Sequence, residues 1–136
     1  MARFLAHWLI LLAAWTLVIK FIFPVIYDAA YGEPLGAHIY WDFWWVIHLW
    51  LAFALLTRPR YVYPLALVVS VVEIIIILTK FFFFLKAPDW TIFETNWFIN
   101  KVFVLACFVT MLGWLVRHGR DLKNQTASDE ARIAER

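Results

Sequence analysis

The side chains able to do chemistry in this chain sit inside its apolar runs: Lys20, Asp42, His48, Glu73, Lys80, Asn100 and Lys101. A charged group at the centre of a membrane helix costs about 2.5–3.5 kcal/mol on insertion scales, so each calls for a partner or a role. Counting about 1.5 Å per residue from the basic ends of the runs puts His48 and Glu73 near mid-membrane. The same count puts Lys20, Asp42 and Lys101 in the outer half and Lys80 near the outer boundary. Two chemistries compete for this layer. In one, Asp42 and Glu73 pair with Lys20, Lys80 and Lys101, and the network fixes helix register. In the other, Glu73 is a proton-exchanging carboxylate with His48 as its neighbour, and Asp42 leads to the outer surface. A quinone, lipid or anion site built from the lysines and the Asn96 and Asn100 amides is a third use of the same groups.

Spacing says which of these share a face. Glu73 and Lys80 lie two turns apart on a stripe with Ala66, Ser70 and Ile77, which should face the helical interior. His38 and Asp42 are one turn apart at the start of the second apolar run, with His48 rotated by roughly 120° from Asp42. In the fourth run Asn96 and Asn100 share one side, and Glu94 and Lys101 another. A start for that helix near Trp97 would leave Glu94 in the loop.

Other chemistries find little support. His48, flanked by Trp44, Trp45 and Trp50, could be the single axial ligand of a pigment, but no second histidine matches its depth, which argues against bis-histidine haem. No metal-ligand set, phosphate loop, nucleophile elbow or CxxC stands in the sequence. The single cysteine, Cys107, lies among apolar residues and reads as a small buried hydrophobe. Catalysis of the kind found in soluble enzymes is not expected.

The elements that must position the polar groups follow from composition. Of 136 residues, 65% are hydrophobic and only 16% charged, far from the soluble average. Four apolar runs, residues 4–27, 39–56, 62–85 and 92–116, are long enough to cross a hydrocarbon core of about 30 Å. Their continuity suits helices rather than barrel strands. Breakers separate them: Gly32, Pro34 and Gly36, then Pro59, then Pro88. The expectation is an all-α polytopic membrane protein, an antiparallel bundle of four transmembrane helices over residues 1–116, followed by a charged tail over 117–136. The first run extends through Phe21, Ile22 and Phe23 with no small-x-small cleavage site and reads as a retained helix. Arg3, Arg58, Arg60, Arg117, Arg120 and Lys123 fall on one side against Lys86 on the other, which predicts cytoplasmic N and C termini in a bacterial inner membrane. The tail is expected to continue the last helix and fray, with its basic residues near lipid headgroups.

Aromatics make up 20% of the chain, with nine Trp, thirteen Phe and five Tyr. Trp41, Trp44 and Trp45 crowd one helix end, Trp97 another, and Phe82 and Phe83 belong to a Phe run that must point all round its helix. Interfacial anchoring accounts for part of this surplus. The rest suits contact with other integral-membrane subunits or with lipid. A net charge of +2 gives no argument for nucleic acid. The leading functional expectation is a non-catalytic accessory or structural subunit of a larger, energy-transducing membrane complex. The alternative is a small transporter or a proton- or quinone-linked carrier that uses the ionisable layer.

Overall fold

The computed structural model describes residues 1–135, apart from the side chains of Leu122, Thr126 and Glu130. Its elements are α1 (Ala2–Leu17), a π-helical turn (Val18–Ile22), α2 (Phe23–Tyr31), α3 (Trp45–Thr57), α4 (Val62–Lys86) and α5 (Ile92–Ala134). The chain is all-helical, with no strand among the described residues. Three helical stretches are long and apolar enough to cross a membrane: Ala2–Tyr31, Val62–Lys86 and Ile92–Asp121. The fourth apolar helix, α3, has 13 residues. At about 1.5 Å per residue that is roughly 20 Å.

The first stretch bends for a stated chemical reason. Pro24 has no N–H to give to the carbonyl of Lys20, and its ring crowds that carbonyl, so the helix widens into the π turn there. The Lys20 carbonyl accepts instead from the Tyr40 N–H at 3.3 Å, which ties the connector 32–44 back to the helix. The connector itself is organised by Asp28. Its carboxylate accepts the Gly36 N–H at 2.9 Å and faces His38 Nδ1 at 2.6 Å. Gly32, at φ 73°, and Gly36, at φ 89°, supply the left-handed backbone that the turn requires.

The second helix starts later than the hydrophobic pattern predicts, at Trp45 rather than Ile39. Asp42 Oδ1 accepts the Trp44 N–H at 2.9 Å, and the Asp42 N–H is bonded to the Tyr40 carbonyl at 2.8 Å. These local bonds compete with the helical ladder and win. His38 and Asp42 therefore do not share a helix face. The last helix starts at Ile92, where the fourth apolar run begins, and not near Trp97. Thr91 caps it by accepting the Glu94 N–H at 3.2 Å, in a Thr-x-x-Glu pattern, so Glu94 lies in its first turn. The same helix runs on through the charged tail to Ala134; the last tail residue, Arg136, lies outside the described residues.

The helices alternate in direction, which gives the body a loop end, with connectors 32–44 and 87–91, and a terminal end, with Met1 and the 58–61 turn. The core of the terminal half is apolar: Leu5, Leu9, Leu51, Leu55, Val62, Ala66, Phe108, Met111 and Leu115 are at most 1% exposed. Gly119 lets α5 close on α4 there, because a Cβ at that position would stand 2.2 Å from Tyr63 Cε2. Lys123 then lies over the Tyr63 ring at 4.6 Å, and Arg58 Nη1 donates to Gln125 Oε1 at 3.1 Å.

Candidate functional site

Above the apolar half lies a layer of buried polar side chains drawn from every long helix: Thr16, Lys20, His48, Ser70, Glu73, Asn100 and Lys101 are at most 4% exposed. The inward stripe of α4 carries it. Ala66, Ser70, Glu73 and Ile77 are each completely buried, as their spacing requires, but Lys80 leaves the stripe and is exposed. Phe81 and Phe84 take the inward direction at that level, with Phe81 stacking on Phe98 at 4.6 Å and Phe84 meeting Trp90 at 5.0 Å. These rings fill the interior at the level of Lys80, whose side chain lies on the exposed side.

At the centre of the layer, His48 Nε2 meets Glu73 Oε1, with side chains 3% and 0% exposed. Phe108 packs on the imidazole at 5.3 Å and shields the pair from the terminal side. His48 Nδ1, Glu73 Oε2, Ser70 Oγ and Asn100 Oδ1 are buried and have no hydrogen-bond partner among the described residues. Leaving such groups unsatisfied costs about 1–3 kcal/mol each, an expense that marks sites where a polar group is kept for something other than packing. Lys101 is as buried as the pair and interacts electrostatically with Glu73, Lys20, Lys80 and Asp42. A second pair stands nearer the loop end, where connector 32–44 meets the π turn.

That second pair is Lys20 with Asp42. The π turn aims Lys20 across the body, and the late start of α3 leaves Asp42 on the connector to meet it. Burial by itself would raise the Asp42 carboxyl. The hydrogen bond to Lys20, the Trp44 N–H and the charges of Lys20 and Lys101 outweigh it and hold Asp42 below the usual carboxylate value. Tyr40 stands above this pair, its ring 6.0 Å from Lys20 Nζ and its hydroxyl donating to Glu94 Oε1 at 3.4 Å. Burial and the Glu94 and Asp42 carboxylates push the Tyr40 phenol up from its ordinary value. Asn100 belongs to another contact, donating from Nδ2 to Thr16 Oγ1 at 3.2 Å.

The candidate residues thus divide. His48, Glu73 and Lys101 come together, with Lys20 and Asp42 adjoining; Asn100 turns toward α1, and Lys80 lies outside. The sequence reading gave no role to Asp28, Thr16 or Tyr40. A signal for Tyr40 exists only in retrospect, in the proline that orphans the Lys20 carbonyl. Among the aromatics, Trp41, Phe82 and Phe83 are 72%, 56% and 64% exposed, whereas Trp44, Trp45 and Trp97 are half-buried. Trp97 packs on Phe81 and Phe84. Among the described residues no group of His, Cys, Asp and Glu is arranged to hold a metal ion.

No protein-family model, curated protein or solved structure matches this chain. The class rests on the molecule itself: three long apolar helices mark an integral membrane protein, and the polar layer gives it an ionisable core.

Proposed function

We propose that the chain is a proton-linked membrane carrier in which His48 and Glu73 form the proton-exchanging pair. The observation that carries this reading is the direct contact of His48 Nε2 with Glu73 Oε1, buried at the middle of α4, with a further atom of each side chain unsatisfied. A structural ion pair in such a place usually has its remaining hydrogen-bonding capacity filled, because its desolvation is otherwise uncompensated. A proton-exchanging pair needs that capacity open. When the pair takes up one proton, His48 becomes an imidazolium against the Glu73 carboxylate, and the neighbouring Lys101 charge favours giving the proton up again. In this reading the four apolar helices form an antiparallel bundle in a bacterial inner membrane, α3 being the short member, with both termini cytoplasmic. The protein reconstituted in vesicles should carry a proton-linked flux that Glu73→Gln abolishes; an undiminished flux in that variant removes the reading.

A second reading is favoured by the outward aromatics. Trp41, Phe82 and Phe83 lie on separate faces near the loop end, and a groove lined by Trp8, Leu11, Trp15, Val18 and Phe103 runs along α1. Such surfaces suit an accessory, non-catalytic subunit of a larger energy-transducing complex, held by other integral-membrane subunits and by lipid. A single-ligand pigment would have to be held by His48 Nδ1, since Nε2 is engaged by Glu73. Extraction in mild detergent discriminates: a discrete complex with other membrane subunits supports this second reading, and a small homo-oligomer alone counts against it.

A further inference from the structure

The two ends of the body differ in what stands between solvent and the central pair. Toward the terminal end, Glu73 is separated from Val62, at the foot of α4, by about 16 Å at the ordinary helical rise. That interval is packed with Leu5, Leu51, Leu55, Ala66, Met111 and Leu115, none more than 1% exposed. Among the described residues it contains no buried Asp, Glu, His, Lys or Arg; the buried Cys107 thiol is its one titratable group, and Ser70 lies only one turn below Glu73. An isolated charge entering such a medium faces a desolvation penalty that nothing there offsets.

Toward the loop end ionisable groups follow instead. Lys101 is buried and feels the charges of Glu73, Lys20 and Asp42. Lys20 is paired with Asp42 and lies 6.0 Å from the Tyr40 ring. Tyr40 donates to Glu94. Tyr40 and Glu94 in turn line an open cavity of about 540 Å³ with Tyr27, His38, Asp89 and Phe93. Asp89 forms no ion pair or hydrogen bond among the described residues, and no Lys or Arg lines this cavity. Its carboxylates raise the local proton concentration at the mouth.

Resting on the proton-exchange reading above, the geometry points to one-sided access in the conformation described: before the carrier turns over, His48 and Glu73 exchange protons with the solution at the loop end only, through this vestibule and past the Lys20–Asp42 pair. In this conformation a proton arriving at Glu94 transfers to Asp42, which releases Lys20 as its carboxylate is neutralised, and then to the His48–Glu73 pair. The same proton returns by the reverse route, and delivery to the terminal side requires the apolar half to open during turnover. The charged group that acts on the pair is Lys101 from α5, which also feels Lys20 from the π turn, Asp42 from the connector and Lys80 from the exposed side of α4.

The test uses the full chain in sealed, internally buffered vesicles of mixed orientation. The fraction with tails outward is read from cleavage of the 117–134 helix by added protease. A pH step is applied outside, and the Glu73 carboxyl stretch is followed by infrared spectroscopy, identified by its loss in Glu73→Gln. The fraction of Glu73 that responds promptly should equal the protease-protected fraction, in which the loops face outward. Asp42→Asn should slow that response by tenfold or more, and Tyr40→Phe, which keeps the ring packing, should slow it as well if Asp42→Asn fails to fold. A prompt response that tracks the cleaved fraction, or that comes from all vesicles, overturns one-sided access. So does an unchanged rate in a folded Asp42→Asn. A wild-type Glu73 that responds from neither side overturns the proton-exchange reading itself.

Discussion

The terminal half and the loop half of this protein are built from the same helices by opposite means. The terminal half closes by apolar packing: Leu, Val, Ala, Phe and Met fill the interior, and Gly119 lets two helices meet through the Tyr63 ring. The loop half closes by polar contacts, His48 to Glu73 and Thr16 to Asn100 between helices, and Lys20 to Asp42 and Asp28 to His38 between helix and connector. Burying apolar groups is non-directional and tolerates exchange of one side chain for another. A buried polar contact is directional, and losing one partner leaves the other stranded. A protein that needed only to sit in a membrane could use the first means throughout. Its use of the second in one half is what the proposed proton-exchange function rests on.

This contrast can be broken most sharply at the central pair. His48→Leu should destabilise the protein by about 3–5 kcal/mol, since it strands the Glu73 carboxylate. Adding Glu73→Leu should recover most of that loss, because an apolar pair of similar volume is often as stable as the ion pair it replaces. Thermal unfolding in detergent micelles reads both variants, and a double variant as unstable as the single one would mean that the pair is structural. In the terminal half the expected effect is smaller. Gly119→Ala should cost about 1–3 kcal/mol by overpacking against Tyr63, read as a lower unfolding temperature, with Tyr63→Ala in the same chain relieving the clash. The smallest effect should come from acid. The Asp42 carboxyl is held below its ordinary value in the folded state, so its contribution is complete above the ordinary carboxylate value and is lost as pH falls through the folded value. Fluorescence of the connector tryptophans should therefore report loosening of residues 38–44 in acid, and Asp42→Asn should show the loosened signal at all pH values.

How much of this was legible in the sequence depends on the kind of periodicity involved. The long helices and their inward faces were legible because apolar content and a 3.6-residue repeat act locally: Ala66, Ser70, Glu73 and Ile77 fall inward as their spacing says. Lys80 does not, because the Phe81 and Phe84 rings take the interior at that level. The start of α3 was misread, since five apolar or aromatic residues before Trp45 look helical until Asp42 binds the Trp44 N–H and Tyr40 binds the Lys20 carbonyl. The partner of each ionisable group was not legible at all. His38 joins Asp28 rather than Asp42, and a lysine separated from Asp42 by a bend that Pro24 imposes becomes its partner.

By itself, then, the sequence determined that the chain belongs in lipid, where its helices run, and that it carries more charge inside them than an anchor requires, because transfer free energy and helical period depend on residues close together in the chain. The tertiary structure alone decided which charges meet, which polar atoms are left open, and which end of the body is sealed. Those outcomes depend on contacts between residues far apart in sequence, such as Lys20 with Asp42 and Thr16 with Asn100, whose distances are set by helix packing and by the π turn at Val18–Ile22.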